Sequence, residues 1–252
     1  MKPGPGIGKD EPPKKGFRRF LQIISLGGAD LVKLNLLFVF AAAPAVAAFL
    51  MGLFGYFGAY MYIVSLVLTL PLGGVITACV FCITVMLRDE HLFIWHDFKR
   101  KFFENAKQAA VPGVLYAVFL YAQVLLIAML ISGMIYADVP IIITVTVMPL
   151  MFATVAPFVF VQLAYVNLKT PRIVINSLLL PLADFKRSIA GALMSLCPYA
   201  VFLLLMPASI PFAPVLLLIG FSLPWLLSLM WIWPAVDKRF AIAETLQKQV
   251  EC

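Results

Sequence analysis

The sequence predicts an all-α polytopic membrane protein of about six transmembrane helices, with amphipathic helices lying along the cytoplasmic interface. Three observations carry that prediction. Of 252 residues, 63% are hydrophobic and 12% charged, with a mean hydropathy of +1.02, where a soluble domain has roughly 45–50% apolar and about 25% charged residues. Six runs approach the length of about 20 apolar residues that a helical span requires. All 19 Lys and Arg fall on one side of a six-span topology, seven in 2–33, five in 88–107, four in 169–187 and three in 238–252. By the positive-inside rule that side is the cytoplasm, and both termini lie there. Five or seven spans would divide the basic clusters across the membrane.

Residues 1–16 open MKPGPGIGKDEPPKKG, without an apolar stretch beside the start, so a flexible cytoplasmic tail and no cleavable signal peptide is expected. From 17 to 28, Phe17, Phe20, Leu21 and Ile24 recur at i, i+3, i+4 and i+7 opposite Arg18 and Arg19, the pattern of a short interfacial helix. A single transmembrane domain covers 17–237. Its expected spans are Leu34–Phe54, Ala59–Leu87, Val111–Ile135, Ile141–Val166, Ile189–Met206 and Val215–Val236. The second is long enough to tilt or to include a turn, and Pro207, Pro211 and Pro214 mark the turn after the fifth. Trp231 and Trp233, just before Lys238 and Arg239, fit an interfacial aromatic belt, and 238–252 form a second cytoplasmic tail.

The segment 88–108, RDEHLFIWHDFKRKFFENAKQ, contains both histidines of the chain. On a helical wheel Ile94, Trp95, Phe98, Phe102, Phe103, Ala106 and Ala109 share one half, and His96, Asp97, Arg100, Lys101, Glu104, Lys107 and Gln108 the other. That pattern points to an interfacial helix. His91 and His96 are five apart, about 140° round a helix, and lack the i, i+4 spacing of a zinc pair. Asp97 with Lys101, and Arg100 with Glu104, are i, i+4 opposites of a solvated face. The tetrapeptide DFKR occurs at Asp97–Arg100 and again at Asp184–Arg187, at the end of a second amphipathic segment over 170–186. The two halves of the chain are therefore expected to share a plan of hairpin plus interfacial helix.

Ionisable residues at depth in a membrane mark proton relays and ion paths. The six spans carry none; their polar content is Asn35, Gln123, Gln162 and scattered Ser and Thr. The glutamines are expected to bond between helices, with substrate contact as the alternative. Pro44, Pro71, Gly73, Gly74, Pro149, Pro157, Pro198 and Pro224 interrupt the spans and permit kinks and close backbone approach. Cys79 and Cys82 form C-x-x-C inside an apolar run with no second pair, and with Cys197 and Cys252 are expected as free thiols. No Walker sequence and no nucleophile–base constellation is present, so no metal, cofactor or catalytic residue is expected. The net charge of +7 alternates with apolar spans, which argues against nucleic acid as a partner.

The ordered set LVKLNLLFVFAAAP, PLGGVITA, HDFKRKFFENAKQA and INSLLLPLADFKR resembles the YesL-like family of bacterial integral-membrane proteins, a family of unknown function, over nearly the whole chain and most closely from about residue 3 to 112. Asn35, Pro44, Gly73, Gly74, Thr77, Asp97, Phe98, Asn105 and Gln108 match its pattern, whereas AAAPAVAAF departs from it around Pro44. The resemblance implies a bacterial plasma-membrane protein associated with carbohydrate ABC importers. On that basis the expected role is a non-enzymatic accessory or partner subunit in oligosaccharide import. Asp97, Phe98, Asn105 and Gln108 are the expected docking positions, and Asn35, Gly73, Gly74, Gln123 and Gln162 the intramembrane polar and kink positions. A self-sufficient facilitator for a neutral solute is the second reading. A membrane enzyme, which would need His91 or His96 to converge with Asp97, is the third. The bilayer is the first partner in every case, and assembly as a homo-oligomer is left open by these residues.

Overall fold

A computed structural model describes residues 16–166, 168–204, 211, 213–240 and 242. Regular structure among them is helical, in the order α1 (Phe17–Leu53), α2 (Tyr60–Leu68), α3 (Leu72–Leu87), α4 (Ile94–Ile131), α5 (Val139–Tyr165), α6 (Thr170–Ala183), α7 (Phe185–Leu204), α8 (Ala213–Ile219) and α9 (Ser222–Phe240). Four helical segments are long and apolar enough to cross a membrane: Phe17–Leu53, Tyr60–Leu87, Ile94–Ile131 and Val139–Tyr165. The expected tails 1–15 and 243–252, with Cys252, and the expected turn at Pro207 lie outside the described residues.

Two of the three expected interfacial segments are joined without interruption to the span that follows. α1 runs 37 residues from Phe17 and α4 runs 38 from Ile94, each roughly 55 Å at 1.5 Å per residue, well beyond a hydrocarbon core about 30 Å thick. The amphipathic segments 17–28 and 94–108 are thus the first turns of long helices. Neither boundary carries a residue that forces a stop, because Gly27 and Gly28 are tolerated in a helix and Pro112 kinks α4 without ending it. The third segment stands apart as α6, which ends at Asp184 just after Pro181.

The second expected span is divided at Thr69–Pro71, where Pro71 cannot donate to the helical ladder. α3 then occupies the middle of the bundle, every residue from Leu72 to Val85 buried, in contact with α1, α4, α5 and α9. Apolar residues gain little from leaving lipid, so close packing must hold such a helix in place. The α3–α4 crossing supplies it: a Cβ at Gly73 would stand 1.8 Å from the Ala109 carbonyl oxygen, and one at Gly113 2.4 Å from the Gly73 backbone. Gly74 sits against Ala106 and the Phe102 ring. In the other half of the chain Gly191 of α7 packs closely on α9, where a Cβ would stand only 3.1 Å from the Ser228 carbonyl oxygen and the Ile232 side chain.

An aromatic column ties the remaining helices together. Phe38 of α1 stacks on Phe221 at 3.7 Å between centroids; Phe221 leans on Trp225, and Trp225 meets Phe160 of α5 edge-on and Tyr116 of α4. Phe152 of α5 stacks on Phe119 of α4 at 4.0 Å. Such pairs add about 0.5–1.5 kcal/mol each beyond area burial. Around this interior, Leu36, Phe40, Ile63, Val67, Leu115, Val118, Ile142 and Val147 are exposed, an apolar periphery suited to lipid.

The four basic segments meet at one end of the bundle. Arg19 donates to the Leu87 carbonyl and pairs with Asp89 at 2.6 Å. Gln108 donates to the Leu168 carbonyl, and Arg239 at the end of α9 pairs with Asp184 at 3.1 Å. Contacts within the chain therefore gather charges that are far apart in sequence.

The α3–α4 crossing yields a direct test. Gly73→Ala is expected to destabilise the protein by about 2–3 kcal/mol, because the new methyl meets backbone and not a yielding side chain. Gly28→Ala, whose Cβ finds its nearest neighbour at 3.9 Å, is expected to be neutral or to stabilise by up to about 1 kcal/mol. Equilibrium unfolding in mixed detergent micelles, followed by circular dichroism, reads both.

Candidate functional sites: the Asn35 junction and the charged end

The sixth expected span is not one helix. α8 stops at Ile219 and α9 starts at Ser222, so Gly220 and Phe221 form a break inside the bundle. Its depth follows from α9: Ser222 lies eleven residues before Trp233, roughly 16 Å along the helix, and Trp233 belongs to the charged end. Backbone groups released inside the bundle and away from solvent need partners within the protein. Asn35 of α1, fully buried, takes up three of them. Its Oδ1 accepts from Phe221 N at 2.7 Å and from Ser222 N at 3.0 Å, and its Nδ2 donates to the Leu217 carbonyl at 2.7 Å. Tyr199 of α7 donates its hydroxyl to the Gly220 carbonyl. An asparagine suits this position because one amide offers an acceptor to the start of α9 and a donor to the end of α8.

The charged end closes over α3. Arg88, one residue past α3, has its guanidinium 5.3 Å from the Tyr165 ring centre and 5.4 Å from that of Trp233, and pairs with Glu90 at 2.8 Å. Arg100 and Lys101 of α4 lie over Phe81 at 6.0 and 5.0 Å. Cations on ring faces in partly dry surroundings are favourable by about 0.5–2 kcal/mol. Trp233, expected in an interfacial belt, is buried against Arg88, while Trp231 is exposed.

Among the expected docking positions, Asp97 lies in the first turn of α4. It accepts from Phe93 N at 3.0 Å, so it serves as a cap, and it pairs with Arg100 at 3.3 Å. Lys101 pairs with Glu104 at 2.8 Å. The pairs are thus i, i+3 and not the expected i, i+4: Asp97 takes the cation three residues after it and Glu104 the one three residues before it. Phe98 is buried beside Phe102, Asn105 donates to the Lys101 carbonyl of its own helix at 2.9 Å, and Gln108 is bound to Leu168. All four are thus engaged within the chain. The residues left outward on the same turns are Trp95, 66% exposed, and Phe103, 68% exposed, with Phe93 beside them. A groove of about 650 Å³ runs between Phe93 and Trp95 on one side and Asp30, Lys33, Leu36 and Phe40 of α1 on the other.

Within the bundle the two glutamines differ. Gln162 donates to Ser177 of α6 at 2.8 Å and to the Phe158 carbonyl, the expected interhelical bond. The carbonyl oxygens of both glutamines are buried and have no hydrogen-bond partner among the described residues, so the difference lies in the bonded amide nitrogen of Gln162. Gly73 and Gly74 form the α3–α4 crossing described above. Thr77 donates to the Gly73 carbonyl at 2.8 Å. Cys79 and Cys82 are buried free thiols, and Cys197 is a free thiol at the surface. His91 and His96 are both exposed, and among the described residues no three His, Cys, Asp or Glu side chains converge as metal ligands. Sequence reasoning missed Arg88, Trp95 and Tyr199. For Trp95 the signal was present in the wheel, since an aromatic residue beside a charged face on a long helix is a candidate outward anchor.

The chain matches no family model, no curated protein and no solved structure. The resemblance to YesL-like proteins accordingly stands on the quoted motifs alone.

Asn35→Leu is expected to cost at least about 3 kcal/mol, since Phe221 N, Ser222 N and the Leu217 carbonyl all lose their partner inside the bundle. Gln123→Leu is expected to change stability by less than about 1 kcal/mol, because the carbonyl it removes was unpaired. Unfolding of the two variants side by side in mixed micelles distinguishes them.

Proposed function

We propose that the chain is a non-enzymatic, six-span protein of the bacterial plasma membrane with both termini in the cytoplasm. In this reading it acts as an accessory or partner subunit of a carbohydrate ABC importer. The six crossings are α1, α2 with α3, α4, α5, α7, and α8 with α9. Support for the orientation comes from the 19 cations assigned to one side and from the gathering of the basic segments at one end. Support for the importer comes from the resemblance alone. The observation that carries the subunit reading is the uncovered aromatic face of α4 and its groove. Phe93, Trp95 and Phe103 are exposed, and Phe93 and Trp95 line the 650 Å³ groove against α1. Exposed aromatic residues with an Arg nearby fit the composition of an interface centre. In this reading the docking surface shifts from Asp97, Phe98, Asn105 and Gln108 to Trp95 and Phe103 on the same helix.

Affinity purification of the full chain from native membranes tests the reading. Importer subunits are expected to be recovered with it, and Trp95→Ala with Phe103→Ala is expected to reduce that recovery at least tenfold while the bundle still unfolds cooperatively. Recovery of the chain without transporter subunits contradicts the proposal.

A second reading, a self-sufficient facilitator for a neutral solute, draws on the two interrupted helices and on the buried hydroxyls of Ser222 and Ser228, for which no hydrogen-bond partner exists among the described residues. Reconstituted liposomes should then take up a neutral sugar down its gradient, and a flat trace across candidate sugars removes this reading.

A further inference from the structure

We infer that the junction of α6, α7 and α9 is a binding site for an anionic phospholipid, its phosphate seated in a basic groove and an acyl chain laid along α6. The inference rests on the chain being a membrane protein and not on any importer partnership, so failure of the copurification leaves it standing.

The groove, about 580 Å³, is lined by Ala183, Asp184, Phe185, Lys186, Arg187, Ala235, Lys238 and Arg239. Four cations face one carboxylate there, an excess of three positive charges. That carboxylate, on Asp184, is already held by Arg239 Nε at 3.1 Å. Phe185, Lys186 and Arg187 are also the first turn of the 20-residue helix α7, so the positive end of its dipole borders the groove. Lys186, Arg187 and Lys238 are exposed. This collection of charge at the end of the bundle, between helices, is the environment that recognises a lipid phosphate.

A second, independent feature leads away from the groove. α6 packs Ile173, Ser177, Leu180 and Pro181 inward, and Ser177 is bonded to Gln162 of α5. Its opposite face presents Ile175, Leu178, Leu179 and Leu182, each more than half exposed, at i, i+3, i+4 and i+7. Phe185, also exposed, lines the groove and continues this stripe. The stripe is long enough, about 10 Å from Ile175 to Leu182, to lie against much of an acyl chain. Basic groove and apolar stripe adjoin through Phe185, which is the shape of an amphiphile with an acidic head. A free phosphate would use only the first feature, and a neutral lipid only the second.

The test uses the full chain purified in a neutral detergent, titrated with dioleoyl phosphatidylglycerol or dioleoyl phosphatidylcholine and read by native mass spectrometry as lipid retained per protein. Phosphatidylglycerol is expected to bind at least tenfold more tightly than phosphatidylcholine. The variant K186Q/R187Q/K238Q is expected to lose that preference. K99Q/R100Q/K107Q on α4, with the same change in net charge, is expected to keep it. L178S/L182S is expected to weaken phosphatidylglycerol at least threefold, with both sets of variants checked for native helicity and monodispersity. Equal binding of the two lipids, an equal loss in the α4 control, or no effect of L178S/L182S overturns the inference. Displacement of phosphatidylglycerol by millimolar inorganic phosphate assigns the groove to a soluble anion and overturns it as well.

Discussion

Where a helix breaks inside a packed bundle, the backbone it frees needs a partner in place of water, and here the side chain of Asn35 provides it. One buried amide joins the end of α8 to the start of α9 and fastens both to α1. Each further contact in that part of the bundle inherits its position. Phe221 is presented to Phe38, Trp225 to Phe160 and Tyr116, and the rest of α9 runs on to place Trp233 against Arg88. With an apolar residue at 35 the break would have three unpaired groups, each costing about 1–3 kcal/mol when buried, against a total stability for a domain of about 5–15 kcal/mol.

The second constraint is steric. α3 is buried along its length because Gly73, Gly74 and Gly113 let α4 approach to backbone contact. With α3 in the middle, α1, α4, α5 and α9 are arranged around it, and its far end delivers Arg88 to the Tyr165 and Trp233 rings. The two copies of DFKR occupy comparable places, each where a helix sets out from the charged end, yet they work differently. Asp97 caps its own helix, whereas Asp184 reaches Arg239 and separates α6 from α7.

Helical class and the positions of the first four long apolar segments were legible because composition and spacing encode them directly. Asn35, Gly73 and Gly74 were legible as exceptional residues, since a polar amide or a glycine pair in an apolar span calls for a reason. Their partners were not, because Leu217 and Phe221 lie more than 180 residues from Asn35 and nothing local links them. A helical wheel separates apolar from polar but cannot tell lipid-facing from protein-facing. That is why Phe98 and Trp95, on one half of the wheel, ended on opposite sides, one buried and one exposed. Gln123 and Gln162 are equivalent by composition, and what distinguishes them is that the Gln162 amide nitrogen finds Ser177 and the Phe158 carbonyl. The break at Gly220 was obscured for a related reason: its residues are as apolar as their neighbours, so the run reads as continuous.

A packed bundle with an aromatic face left open at its charged end suits a protein that presents a surface to a partner. The account depends most on the Asn35 junction. Hydrogen–deuterium exchange of the full chain in a lipid nanodisc, resolved to the Phe221 and Ser222 amides, examines it directly. Protection of both amides at the level of the neighbouring α9 residues, lost in Asn35→Leu, is the predicted result. Rapid exchange at Phe221 and Ser222 in the parent protein would contradict it.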